Sequence, residues 1–105
     1  MTTSDFNEIA EGQLEHIKNV LVCKATEYNL DTSDRFSDFK RAAALTGHTP
    51  EQVLYSYMLK HIMSITDMVQ SGDTFSKERW EEKIGDIQVY LTLLRGLLED
   101  TGRMI

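Results

Sequence analysis

Apolar residues recur along this chain at alternating steps of three and four, the spacing of a helix with one buried stripe. Leu14, Ile17, Leu21 and Tyr28 form the first such stripe and predict a helix from about Ser4 to Tyr28. Lys24 stands inside that stripe, where an apolar residue is expected. Asn29 to Asp34 reads as a polar connection. Phe36, Phe39 and Ala43 make the inner face of a shorter helix, from about Asp34 to Thr46, with Gly47 suited to its C-terminal cap. The third helix has the clearest start. Thr49 is an N-cap, Pro50 fits the first helical position, and Gln52 completes a capping box. Its stripe is Leu54, Met58, His61, Ile65 and Met68, with Gly72 just past the end, and His61 is the one polar interruption. The fourth helix begins after Thr74 or Ser76 and runs to about Asp100. Trp80, Ile84, Ile87, Leu91, Leu94 and Leu98 form an unbroken stripe, and a second line runs Glu82, Asp86, Val89, Leu93, Leu97. Two apolar lines in the same half-helix predict two buried faces, one for the chain's own bundle and one for a partner chain.

Short connections between helices predict a single all-α domain over residues 1–105, a compact antiparallel bundle of about four helices that oligomerises through helix faces. No repeat or linker divides the chain.

Charge narrows the partners. With a formal net charge of −6 and a pI near 4.9, the chain repels nucleic-acid backbones, which argues against a general DNA or RNA partner. A small phosphorylated ligand held locally is compatible with that field. The lone cysteine, Cys23, fits a reducing compartment. No apolar run approaches a membrane span, and the start Met1-Thr2-Thr3-Ser4-Asp5 lacks a basic and apolar leader, so no membrane partner and a cytoplasmic location are expected.

Four groups could carry chemistry. Glu82 and Asp86, four apart, share a helix face, where two carboxylates either form a solvated acidic surface or hold a hard divalent cation such as Mg²⁺. Lys24 and Glu27 are either an exposed helix pair or a polar break in an apolar stripe made for a ligand. In Asp34-Arg35-Phe36-Ser37-Asp38-Phe39-Lys40, the aromatics are core or base-stacking rings, and Arg35 and Lys40 can pair with phosphates. His61 is a satisfied core histidine or a ligand contact. Lys60, Ser64 and Asp67 form a polar strip beside it. The glycine-rich phosphate loops, the H-E-x-x-H zinc motif and zinc-type Cys/His spacings are absent.

The set Lys24-x-x-Glu27-Tyr28, Asp34-Arg35-Phe36-x-x-Phe39-Lys40, Lys60-His61-x-x-Ser64 and Glu82-Lys83-x-x-Asp86-x-x-x-Tyr90 resembles small phage-encoded helical proteins. Through them it resembles the all-α nucleoside-triphosphate pyrophosphohydrolases of the MazG-like superfamily, over about Lys18 to Glu99. The resemblance implies an oligomeric helical bundle in the cytoplasm of an infected bacterium. Mg²⁺ would be held by Glu27, Glu82 and Asp86 as metal ligands and catalytic carboxylates. Lys24, Tyr28, Arg35, Phe36, Lys40 and His61 would contact a nucleotide. The family's first acidic pair is matched here by Lys24 and Glu27, and its second by Glu-x-x-x-Asp rather than Glu-x-x-Asp. An alternative reading is therefore a non-catalytic phage counter-defence protein that sequesters a nucleotide signal or inhibits a host protein.

Overall fold

A computed structural model of the chain describes residues 1–23 and 33–105. Among the described residues there are four α-helices and no strand: α1 Thr3–Lys18, α2 Ser37–Thr46, α3 Pro50–Ser71 and α4 Lys77–Asp100, with a π-helical turn, Asn19–Cys23, continuing α1.

Local chemistry sets most of the boundaries. The Thr49 hydroxyl accepts from the Gln52 amide at 3.2 Å, and the Gln52 side chain accepts from the Thr49 amide at 2.9 Å, around Pro50 in the first turn. This capping box satisfies two donors that the first turn would otherwise leave unpaired. Thr2 and Asp5 form the same device at the start of α1, and Ser76 caps α4 by accepting from the Arg79 amide. Gly47 and Gly72 end α2 and α3 at φ of 72° and 70°, a left-handed turn that a Cβ would strain.

The centre of the fold is an antiparallel hairpin of α3 and α4. His61 lies opposite Asp86, and Glu51 at the start of α3 meets Arg103 just beyond α4. The small core comprises Ala43 from α2, Val53, Leu54, Met58 and Met68 from α3, and Leu97 from α4; Leu54 and Leu97 are fully enclosed. The α4 seam is therefore the line that ends in Leu97. The Trp80–Leu98 stripe instead lies to one side of it, with Ile84 and Leu91 substantially exposed.

α2 packs on α3, and α1 packs on α4. Phe36 at the head of α2 sits over Gly96, where an added Cβ would lie 3.1 Å from the ring. α1 runs in the same direction as α4, with Asp5 and Glu8 beside Lys77 and Trp80, and Gln13 donating to Gln88 at 2.7 Å. Gly85 lets the helices come this close, because a Cβ there would meet the His16 ring at 2.8 Å. This arrangement overturns one expectation: Leu14, placed on the inner stripe of the first helix, is 67% exposed. α1 meets α4 through its Gln13 and His16 edge, which turns Leu14 away. The expected continuation of this helix to Tyr28 lies outside the described residues.

Candidate functional site

The turn that opens α2 is built by Asp34. Its carboxylate accepts from the Phe36 amide at 2.9 Å, and its carbonyl accepts from the Ser37 amide at 3.2 Å. Such a local bond fixes the backbone without a helix, which is why α2 begins at Ser37 rather than at Asp34. Lys40 reinforces the turn by donating to Asp34 at 2.7 Å and to Asp100, at the end of α4, also at 2.7 Å. The hydrogen bond to Lys40 holds the Asp34 carboxyl below its ordinary pKa, and the bonds to Asp100 and then Asp34 raise that of Lys40. Lys40, expected as a phosphate contact, is thus a strut between two helices, and Phe36, expected against a ligand, is packed on α4.

The strut leaves Arg35 on the rim of a cavity of ≈ 350 Å³. Asp38 and Phe39 come from α2, His61 from α3, Asp86, Val89, Tyr90 and Leu93 from α4, and Val20 and Leu21 from the π turn. A π turn takes an extra residue per turn and so re-aims the side chains beyond it, a feature often found at functional sites. Inside, His61 Nδ1 lies 3.3 Å from Asp86 Oδ2, and the His61 and Tyr90 rings are tilted at 5.1 Å. Phe39 is backed by the Tyr57 ring at 5.9 Å. Burial, and then the nearby Asp86 carboxylate, push the Tyr90 hydroxyl above its ordinary pKa, so it is a protonated donor at neutral pH.

Of the residues singled out in the sequence, the structure brings Arg35, His61 and Asp86 together. Glu82 is exposed and lies outside the cavity lining. Four residues carry a helix slightly more than one turn and about 6 Å along its axis, and the cavity opens at the Val89–Leu93 end. Lys24, Glu27 and Tyr28 lie outside the described residues. Sequence reasoning did not place Asp38, Phe39 or Tyr90 in the site. The available signal was spacing: Asp38 is three residues from Arg35, and Tyr90 is four from Asp86.

The fit to Mg²⁺ is incomplete. Among the described residues no three His, Cys, Asp or Glu side chains are grouped to hold a metal ion. Of the expected carboxylates among the described residues, Asp86 lines the cavity and Glu82 does not. What the cavity does offer is an apolar floor, two aromatic faces, a guanidinium at the rim and an imidazole beside a carboxylate. Its volume falls within the range of about 300–1,000 Å³ of small-molecule sites. Comparisons with protein-family models, with curated protein sequences and with solved structures find no match.

Proposed function

We propose that this cavity binds a nucleotide or a nucleotide-derived small molecule. One observation carries the reading: Phe39 and Tyr90, Arg35, and the His61–Asp86 pair line one cavity. The aromatic rings and Leu93 offer a face for a base. Arg35 places a guanidinium, a group that pairs with phosphates, at the rim. With Asp86 Oδ2 3.3 Å from Nδ1 of His61, the other ring nitrogen, Nε2, is the one for a ribose hydroxyl or a base edge to meet. The resemblance to all-α nucleoside-triphosphate pyrophosphohydrolases points to the same ligand class.

Binding without turnover is the form these residues support better. Hydrolysis in that family's manner needs carboxylates around Mg²⁺, and Glu82 is turned out of the cavity. A nucleotide-sequestering role, such as phage counter-defence, needs the pocket alone.

The test is thermal unfolding against a panel of nucleoside mono-, di- and triphosphates and cyclic nucleotides, with and without Mg²⁺, followed by a pyrophosphate assay. A ligand at a hundred times its Kd adds about 2.7 kcal/mol, a shift of many degrees for a domain of this size. A shift lost in Arg35→Ala and His61→Ala supports the reading. Pyrophosphate release that depends on Mg²⁺ would replace sequestration with hydrolysis. No shift with any member of the panel sinks the nucleotide reading.

A further inference from the structure

The carboxylate of Asp86 lines the cavity with acceptor capacity to spare. Its side chain is 36% exposed, and among the described residues its one ion-pair or hydrogen-bond partner is His61, whose Nδ1 lies 3.3 Å from Oδ2. A carboxylate only accepts, and its two oxygens offer about four lone-pair sites. His61 takes up one of them, and the others remain for a ligand. Asp38, the other acid of the described lining, is 61% exposed and lies 4.0 Å from Arg41, so its charge is met by solvent and by that guanidinium.

Aromatic rings stand beside this carboxylate. Tyr90 follows it by four residues, one turn along the same face of α4, and the Tyr90 ring lies 5.1 Å from that of His61 at an angle of 31°. Phe39 lines the same cavity from α2. Rings hold a nucleobase by its flat faces, so its edge is what a neighbouring polar group reads. The phosphate belongs elsewhere, because a carboxylate repels it and the guanidinium of the lining is at the Arg35 rim.

Base edges differ in what they offer a group that only accepts. Guanine presents its ring N–H and its exocyclic amine side by side, two parallel donors for two carboxylate oxygens. Adenine and cytosine place an acceptor beside the amine, and uracil has a single N–H between two carbonyls. We propose that the cavity selects guanine among the bases, with the Asp86 carboxylate accepting from the ring N–H and the exocyclic amine. The inference rests on the nucleotide reading above and names its base. A base acceptor set against the carboxylate is left unpaired at a cost, so the wrong base is rejected as well as the right one held. A two-pronged contact to a base edge discriminates by about 10- to 100-fold.

Isothermal titration calorimetry on the full chain tests this with the mono- and triphosphates of guanosine, deoxyguanosine, inosine and adenosine. Guanosine and deoxyguanosine phosphates are expected to bind about 10- to 100-fold tighter than those of adenosine. Inosine keeps the ring N–H but lacks the amine, and is expected between them. Asp86→Asn turns one acceptor into a donor. It is expected to lose the guanine preference and to gain affinity for xanthosine phosphates, whose ring N–H stands beside a carbonyl. Should Asp86→Asn fail to fold, the order guanosine, inosine, adenosine in the unaltered chain decides alone. Equal affinity for every base, or a guanine preference unchanged in folded Asp86→Asn, overturns the proposal and leaves the nucleotide reading standing. Weak binding of deoxyguanosine beside equal binding of guanosine and adenosine places the ribose hydroxyls at Asp86 and overturns it likewise. No binding by any of these compounds sinks both readings.

Discussion

Glu51 is a carboxylate in the first turn of α3, only 8% exposed, and the last residues of the chain are fastened to it. The Thr101 hydroxyl, which donates to the Leu97 carbonyl at 2.9 Å, lies beside this carboxylate. The Thr49 hydroxyl and the residue's own amide add to this, and Arg103 Nη1 lies 3.6 Å away. These donors, Thr101 foremost, outweigh burial and hold the carboxyl below its ordinary pKa. A depressed carboxyl pKa stabilises the fold fully above the unfolded value, near 4.3, and loses that contribution as pH falls through the folded value. Glu51→Gln keeps the volume and an acceptor oxygen but removes the charge. Hydrogen bonds to charged groups contribute about 1.5–3 kcal/mol and neutral ones about 0.5–1.5, so the substitution costs about 1–1.5 kcal/mol at pH 7. Arg103 adds little, its end of the pair being exposed. With an unfolding entropy of about 2.1 cal/mol/K per residue, the midpoint falls by about 5–7 °C. The assay is thermal unfolding at fixed protein concentration, followed by circular dichroism, for both chains at pH 7, 5, 4 and 3. The gap between them is expected to close as pH drops below about 4.3. A gap that persists unchanged at pH 3, or no gap at pH 7, refutes the reasoning.

Two further substitutions probe the helix ends and contacts. Thr49→Ala removes one half of the capping box of α3 and is expected to cost about 1 kcal/mol, a fall of about 4–5 °C in midpoint, with Thr49→Ser recovering most of it. Gly96→Leu puts a side chain where a bare Cβ already lies 3.1 Å from the Phe36 ring. It is expected to cost about 1–3 kcal/mol in thermal unfolding, whereas Gly96→Ala stays near neutral because better helix propensity offsets a small shift of the half-buried ring.

What could be read in the sequence was what depends on neighbours along the chain. Thr49, Pro50 and Gln52 interact within one turn, so the start of α3 followed from spacing alone, and Gly47 and Gly72 marked stops for the same reason. The stripe Leu54, Met58, Met68 proved buried because the helical period lines these residues up on one face of α3. What stayed hidden depends on residues far apart. Lys40 looked available for a phosphate because nothing local showed Asp100, sixty residues on, at the other end of its bond. Gly85 and Gly96 carry no hydrophobic signal, yet they decide where α1 and Phe36 can approach α4. Their placement in turn decides which α4 line is the seam. The Trp80–Leu98 stripe is the more regular of the two and would be expected to be the interior one. Gly85 and Gly96 set how closely His16 and Phe36 approach α4, and the line ending in Leu97 meets α3. The same cause settles Glu82 and Asp86. Both belong to that line, and only Asp86 is level with His61, so the pair that looked alike in sequence divides into one cavity residue and one exposed one.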